Sequence, residues 1–527
     1  MFTRRWVVDL ILDLAGYTVD EDLAARTLVE PSCGTGAFLV PIVDRLIESC
    51  NAYRRDLSSL DHAISAFDLL EVNAERARKA VAQRLEEAGL EEVQAARLAE
   101  TWITTGDFLL TDHETASADF VVGNPPYIRL ENVRPEVMDA YRRRCQTMRG
   151  RSDIYVGFIE LGLDLLKPGG SLGFICADRW MRNQYGADLR EFVTESFAVD
   201  TVLAMHDVDA FEDDVSAYPA VVVLRNQAQA RAVVADTTSA FGEDDAGRLT
   251  AFARRSTRRG LSRPGVHATK IDSWFGGRDL WPAGSPDQLA VVADLERRFP
   301  PLQDEATGTR VGIGVATGCD EVYITSDPDL VESDRMLPLL QAKDIAGGTA
   351  QWSGKYLVNP WGGRGLVDLN DHPRLGDYLE RHGGRIRGRH IAQKNPRRWY
   401  RTIDRVHVDL VDQPKLLLPD MKAASHPVLD TGGFYPHHNL YYVVSDAWDL
   451  EVLGGFLLSD IANLFVGAYC VKMRGGTYRF QAQYLRRIRV PAVESVSRRV
   501  QADLAEAFRT RDRVRASSIA AKVMGLA

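Results

Sequence analysis

The sequence predicts an α/β protein with a doubly wound sheet in residues 1–240, a connector at 241–300 and a second domain of α+β type at 301–527 that ends in a helix. Three observations lead there. Strand-like and helix-like segments alternate through residues 1–225, the pattern of a sheet whose parallel strands are joined by helical crossovers. The length of 527 residues is more than three times a typical domain of about 150, so more than one core is expected. Charge is also divided: residues 1–250 hold 25 Lys and Arg against 42 Asp and Glu, whereas residues 251–527 hold 39 against 31. The overall net of −9 alone argues against a polyanionic partner, because phosphates must be neutralised by Lys and Arg. The two halves, at −17 and +8, are nevertheless suited to different partners.

An opening helix at 6–15 shows apolar residues at helical spacing. A short strand at 27–30, a glycine turn and a helix from 37 to 50 follow, then a strand at 63–69 and an Ala/Arg/Glu-rich helix at 75–88. Strands at 102–105 and 119–123 come next. A helix around 158–166 stops at Lys167-Pro168-Gly169-Gly170, since Pro and two glycines do not continue it. After it, 171–176 is a buried strand, and strands at 199–204 and 220–225 complete the set of seven. Beyond residue 226 the period loosens, so 241–300, which mixes acidic, basic and Gly/Pro-rich stretches, reads as a connector with some structure of its own. Short strands at 321–325, 355–358, 415–418 and 440–444 and a charged helix at 495–514 belong to the second domain.

A composition of 45% hydrophobic and 26% charged residues is that of a globular chain and excludes fibrous and disordered classes. The six cysteines, Cys33, Cys50, Cys145, Cys176, Cys319 and Cys470, form no Cys-x-x-Cys pair, and no His stands at zinc-finger spacing. Neither a disulfide framework nor a structural metal site is expected, and a reducing cytoplasm fits. The apolar run at the start is broken by Asp9 and Asp13 and lacks a small-residue cleavage site, so it does not read as a signal sequence. The longest apolar stretch, 452–471, carries Asp460 and Asn463 and reads as a packed helix rather than a membrane span.

The run Leu28-Val29-Glu30-Pro31-Ser32-Cys33-Gly34-Thr35-Gly36-Ala37-Phe38 ends a strand in an acid, turns on glycines and enters a helix. Gly34 and Gly36 admit a ligand where a Cβ would block it. Leu39 stands where the dinucleotide fingerprint has its third glycine, so a dinucleotide is not predicted; an ordinary strand-turn-helix is the alternative. Asp68 is placed where doubly wound folds put the carboxylate that accepts ribose hydroxyls. Glu71 competes for that role, and either acid can simply cap the following helix. Asp107, after the third strand, can accept from an exocyclic amine while Phe108 covers a purine face; a helix-capping Asp is the alternative there. Directly after the apolar strand at 120–123 stands Asn124-Pro125-Pro126-Tyr127. Its two prolines fix the backbone and lack amide hydrogens, so the Pro125 carbonyl and the Asn124 side-chain oxygen can both accept from one amino group. Tyr127 offers a stacking face.

These motifs, in this order, resemble the gamma-class, amino-methylating DNA adenine methyltransferases of restriction-modification systems, over residues 1–225 and more weakly through 300–490. The resemblance implies a class I S-adenosylmethionine-dependent methyltransferase sheet followed by a target-recognition domain. It also implies action on double-stranded DNA as a monomer, with a restriction endonuclease or other defence-system protein encoded on a separate chain. Carried over residue by residue, it puts the methionine side of the cofactor pocket at Glu30, Pro31, Cys33, Gly34 and Gly36 and the ribose acid at Asp68. The adenine-binding pair of the cofactor falls at Asp107 and Phe108, and the catalytic loop at Asn124, Pro125, Pro126 and Tyr127, with Asn124 counted among the cofactor-binding residues as well. The family's opening Phe-Thr-Pro, which lines the cofactor pocket, stands here as Phe2-Thr3-Arg4 without the proline, which nominates Thr3. The stretch 210–217 resembles the one whose aromatic sandwiches the flipped base, nominating Phe211 opposite Tyr127; a core aromatic is the alternative. Asp153 and Tyr155 fall where the family closes the pocket wall. The implied chemistry is direct methyl transfer to the N6 amino group of a flipped adenine, with no covalent enzyme intermediate. Cys33 lacks the Pro-Cys setting of cytosine-ring methylation.

In the C-terminal half, Arg381, Arg385, Arg387, Arg389, Lys394, Arg397, Arg398, Arg401 and Arg405 are interleaved with Trp399 and Tyr400 and opposed only by Asp404. Such a stretch suits phosphate and base-edge contacts, a solvated basic surface being the alternative; Arg385 through Arg401 are the DNA-binding candidates. A second cluster, Arg254, Arg255, Arg258, Arg259 and Arg263, could hold phosphate. Segments 312–325 and 472–480 resemble turns of the family's recognition domain. His437-His438 is not expected to hold a metal, because adjacent side chains point apart and no Cys or acid cluster accompanies them in sequence. Three rival functions remain. A protein glutamine-N5 methylase of the same loop type is disfavoured by the basic C-terminal half and by a Glu30 loop that departs from Asp-x-Gly-Thr-Gly. An RNA amino methylase is separated only by its substrate. A catalytically idle DNA-specificity subunit is disfavoured by the intact loop at 124–127.

Overall fold

Strands β1 (Leu28–Glu30), β2 (Ile64–Asp68), β3 (Ile103–Thr105), β4 (Ala118–Gly123) and β5 (Leu166–Ala177) run parallel in the order β3-β2-β1-β4-β5. Parallel neighbours need crossovers, and helices supply most of them. α1 (Arg5–Ala15) precedes the sheet, α2 (Leu39–Tyr53) joins β1 to β2, and α3 (Glu71–Glu87) with α4 (Glu92–Trp102) joins β2 to β3. α5 (Pro135–Arg144) and α6 (Tyr155–Asp164) lie between β4 and β5. β7 (Pro219–Arg225) is inserted antiparallel between β5 and β6 (Ala198–Ala204). This strand order is that of the class I S-adenosylmethionine-dependent methyltransferase sheet, the fold class that the sequence predicts. The computed structural model describes residues 3–129, 132–206, 208–212, 219–470 and 477–526, and the chain divides into two units, Met1–Asp294 and Leu295–Ala527.

The centre of the sheet is covered on both faces, which is why its strands read as apolar runs: Val121, Val122, Leu172, Phe174 and Ile175 have no exposed surface. α1 packs on it, with Val7, Val8, Ile11 and Leu12 all fully buried. The helix approaches closely because β5 carries a glycine at the contact: a Cβ on Gly173 would lie 3.2 Å from both Ala15 and Ile11. Two sequence expectations change here. α3 starts at Glu71 rather than 75, so that this acid sits in the first turn, where the helix dipole favours it. The sheet also runs on past seven strands to ten, through β8 (Ala232–Thr237), β9 (Gly260–Ser262) and β10 (Val266–Ile271), in the order β8-β10-β9. Part of the expected connector at 241–300 is therefore regular structure of the first unit, including the helix Glu243–Arg255. In β10 the apolar Val266, Ala268 and Ile271 are buried.

The second unit contains two four-stranded sheets. One is antiparallel and orders its strands as Arg310–Ile313, Leu440–Val444, Lys415–Pro419 and Val428–Asp430. The other orders them as Ile324–Thr325, Tyr356–Val358, Met336–Leu340 and Tyr435–Pro436. The strand expected at 321–325 is mostly a helical turn, Asp320–Tyr323, with only Ile324–Thr325 paired. The apolar stretch at 452–471 is two helices, Leu450–Leu458 and Asp460–Tyr469, bent by 61°. Among the described residues no single helix is long and apolar enough to cross a membrane. The first of the pair packs on Arg498–Arg509 through glycines: a Cβ on Gly454 would come within 2.6 Å of the Phe508 ring. The single helix expected at 495–514 breaks after Arg509, where Arg511 takes φ +58° and Asp512 caps a new helix, Arg513–Val523, by accepting from the Arg515 amide. At the centre of this unit Lys415, with no exposed surface, stands 2.8 Å from the Asp430 carboxylate.

Candidate active site

The chain leaves β1 toward β2 on one side and leaves β4 toward β5 on the other, while β1 and β4 pair directly through Leu28 with Phe120 and Val29 with Val121. Their carboxyl ends therefore border the crevice in which doubly wound sheets bind ligands. The glycine loop and the Asn124 loop both begin there. They touch: a Cβ on Gly123 would lie 3.6 Å from the Glu30 side chain and 3.7 Å from the Pro31 ring.

The loop after β1 turns on Gly34 at φ +54° and Gly36 at φ +100°, conformations that L side chains rarely adopt. It is pinned from the neighbouring strand, with the Cys33 amide donating to the Phe67 carbonyl (2.8 Å) and the Gly34 amide to Asp68 Oδ2 (3.0 Å). Asp68 Oδ1 accepts in turn from the Leu70 amide (2.9 Å) and Asn73 Nδ2 (3.1 Å). Three of about four acceptor positions on this carboxylate thus hold the loop and the start of α3, a scaffolding role that the sequence left unread. Glu71, its competitor, is exposed and paired with Arg78 at 2.9 Å. Glu30 is 1% exposed, and its Oε2 has no hydrogen-bond partner. Burial, and after it the charge of Asp68, holds the Glu30 carboxyl well above the usual carboxylate range. Burial pushes the Cys33 thiol up as well, which suits an inert side chain rather than a nucleophile.

In the loop after β4, Asn124 Nδ2 donates to Thr3 Oγ1 at 3.2 Å, and Asn124 Oδ1 is buried with no donor. Thr3 is itself bound into the site: it bridges to Phe211, and the next amide, of Arg4, donates to the Ala210 carbonyl at 3.0 Å. The first described residues thus connect the two nominated elements, Asn124 and Phe211. Tyr127 donates to the Ile175 carbonyl at 3.3 Å. Its ring lies 6.5 Å from that of Phe211, edge-on at 84° rather than parallel. Tyr155 packs on it at 6.3 Å and shares a hydrogen bond of 2.8 Å with Tyr185, which reaches Asp153 at 3.4 Å. Burial raises the Asp153 carboxyl.

Asp107 sits at the end of β3 and accepts from the Leu109 amide at 3.0 Å and from the Tyr141 hydroxyl at 2.7 Å. Phe108 does not present a face to the crevice. It is 2% exposed, stacked on Phe158 at 5.5 Å and packed against Phe67 and His113. The apolar surface that is open beside Asp68 belongs instead to Leu69 and Leu70, 64% and 55% exposed. Neither leucine was singled out from the sequence, nor were Tyr141 and Tyr185, whose roles depend on contacts with residues 30 or more positions away. Phe2 and residues 213–217 lie outside the described residues.

The family model of the Eco57I restriction-modification methylases matches residues 50–211, a span that includes Asp68, Asp107 and 124–127. M.PaeR7I of Pseudomonas aeruginosa, a Type II methyltransferase, is 45% identical over 517 residues, which cover 97% of this chain and 89% of that protein. The chain belongs to the Type II methyltransferases of restriction-modification systems. M.XhoI of Xanthomonas vasicola, another member, is 42% identical over 536 residues, covering 100% of this chain and 97% of the relative.

The basic stretch of this Type II methyltransferase is not one surface. Arg389 turns inward and donates to the carbonyls of Ile386 (3.0 Å), Thr317 (2.8 Å), Trp399 (3.0 Å) and Arg401 (2.8 Å). That guanidinium braces the loop and has little left for DNA, which corrects its nomination. Arg385 is paired with Glu321. Arg387 is paired with Glu380 at 2.8 Å and lies over the Trp399 ring. Arg401 is half-buried, bonded to the Thr402 and Ile403 carbonyls at 3.3 Å. Lys394, Arg397 and Arg398 are exposed. In the second cluster, Arg255 and Arg259 face Asp20 and Asp272. His437 and His438 do not point apart, since their ring centroids are 4.0 Å from each other, and an acid does accompany them: Asp320 Oδ2 is 3.1 Å from His437 Nε2. That acid is 117 positions away, so only the fold supplies it. Residues 472–476 lie outside the described residues.

Proposed function

We propose that this Type II methyltransferase transfers a methyl group from S-adenosylmethionine to the N6 amino group of adenine in double-stranded DNA, by direct transfer after base flipping. The observation that carries this is the Asn124 side chain, whose Nδ2 is held by Thr3 while its Oδ1 is buried without a donor. A buried acceptor left unpaired is costly, and an incoming amino group satisfies it. With the Pro125 carbonyl as second acceptor, the two oxygens bind the hydrogens of the amine and favour its pyramidal form. They also stabilise the positive charge that grows on nitrogen as its lone pair takes the methyl group and the S–C bond breaks to leave a neutral thioether, after which the nitrogen loses one proton. Tyr127 and Phe211 supply the aromatic contacts for the flipped base, one ring turning so that the two become parallel. Asp153, Tyr155 and Tyr185 close the wall.

The residues around the crevice fit the cofactor: a glycine cradle at Gly34 and Gly36, an unpartnered buried carboxyl at Glu30, and exposed leucines at 69 and 70 for an adenine face. S-adenosylmethionine supplies an electrophilic methyl group on a cationic sulfur. Glu30 pairs with the cationic amino-acid end, Asp68 keeps its remaining acceptor position for ribose, and Asp107 takes the exocyclic amine. Burial, and after it the charge of Asp68, raises the Glu30 carboxyl, and a cation beside it favours the ionised form, so binding releases a proton wherever the unliganded group still carries one. Cofactor affinity measured by calorimetry is expected to rise with pH until the unliganded Glu30 titrates, then level. Glu30→Gln flattens that profile; an unchanged slope in the variant would remove Glu30 from the cation's surroundings.

The second unit acts as the target-recognition domain, with Lys394, Arg397 and Arg398 placed on phosphates. Replacing Arg397 and Arg398 together by Gln is expected to weaken duplex binding about equally across sequences. It should lower the slope of log affinity against log salt by about 1 for each phosphate that is no longer neutralised. Affinity and slope identical to the parent's would return this stretch to a solvated surface.

A further inference from the structure

We propose that Asp320, His437 and His438 bind one divalent transition-metal ion of the zinc class, which ties together two loops of the second unit. One ligand atom from each residue lies within 4.8 Å of the others. The 3.1 Å between Asp320 Oδ2 and His437 Nε2 is close to the spacing of neighbouring ligands around a tetrahedral ion with bonds of about 2.0–2.1 Å. His437 is 4% exposed, and its Nε2 is the ring nitrogen that faces Asp320, so a buried imidazole nitrogen and a carboxylate oxygen are already held at ligand spacing. The second oxygen of Asp320 accepts from the Thr317 hydroxyl, the kind of outer bond that orients a ligating carboxylate. Asp320 and His438 are exposed, so an ion reaches the site from solvent and water completes its coordination. Two imidazoles with one carboxylate suit zinc and its neighbours rather than calcium or magnesium, which take oxygen ligands.

The loops that the ion would join already meet. Val315 bridges to His437, and the His438 amide donates to the Val315 carbonyl at 3.0 Å. From the same loop the Ala316 amide donates to Asp404 Oδ2 at 2.9 Å, and the Thr317 carbonyl accepts from Arg389 at 2.8 Å. An ion at Asp320 would therefore stiffen the segment that carries Arg397 and Arg398, and would stabilise the folded unit by mass action.

The test uses untagged, metal-stripped full-length protein titrated with Co²⁺ near neutral pH, followed by its visible absorption, and then with Zn²⁺ in competition. One equivalent of Co²⁺ is expected to give a visible band that Zn²⁺ removes, and Zn²⁺ is expected to raise the melting temperature. His438→Ala and Asp320→Asn should each weaken binding by about 100-fold or more, beyond the usual cost of losing a partner that only orients a ligand. The metal-free melting temperature of His438→Ala should match the parent's, because that side chain is exposed. Should Asp320→Asn disturb the fold through Thr317, His438→Ala decides alone. No band with the parent, or equal affinity in parent and His438→Ala, would overturn the site.

Discussion

Asn124→Ala is expected to lower kcat/KM for methyl transfer to duplex DNA by about 100- to 1000-fold, the scale seen when one preorganised partner of a developing charge is removed. Cofactor affinity should change far less than transfer, because the substitution leaves in place Glu30, Gly34, Gly36 and Asp68, to which we assign most of the cofactor's contacts. The substitution removes the unpaired Oδ1 acceptor and leaves the Pro125 carbonyl, so transfer falls without the cavity collapsing. Single-turnover rates with saturating DNA isolate the chemical step. A variant that binds cofactor normally and transfers at the parental rate would deny Asn124 its place at the amine.

Lys415→Met is expected to destabilise the second unit by about 3–5 kcal/mol, because it leaves the Asp430 carboxylate buried without its counter-ion. Lys415 Nζ, 2.8 Å from that carboxylate, also donates to the carbonyls of Leu410 (2.8 Å) and Gln413 (3.0 Å). Those acceptors lose their donor too. Lys415→Met combined with Asp430→Leu should recover most of the loss, since two apolar side chains carry no orphaned charge. The check is the denaturant midpoint of the first unfolding transition in parent, single and double variants. A single variant as stable as the parent would mean that water reaches Asp430.

The parts of this molecule legible in its sequence are those whose physics is local. The strands around Glu30, Asp68 and Gly123, the glycine turn and the Asn124-Pro125-Pro126-Tyr127 loop announce themselves by apolar runs, turn residues and rigid prolines within a few positions. What stayed hidden depends on chain segments far apart. Asp68 reads as a ligand acid because a sequence does not show the Gly34 amide that it accepts from. Phe108 reads as an open aromatic because its partners Phe67, His113 and Phe158 are not visible together. Arg389 counts as one more basic residue until the carbonyls of Thr317 and Trp399 are seen around it. β8 and β10 are short strands whose pairing with β6 and with each other, not their composition, makes them part of the sheet. The break at Arg511 is local, but a single αL residue inside an otherwise helical pattern carries no compositional mark.

The central claim is the identity of the methylated atom. Duplex DNA incubated with the protein and methyl-labelled S-adenosylmethionine, then digested to nucleosides and separated by mass spectrometry, reports it directly. N6-methyladenine as the labelled nucleoside, formed about 100-fold or more slowly with Asn124→Ala, is the predicted result. Label in a methylated cytosine, or none in DNA while RNA or protein is labelled, would contradict it.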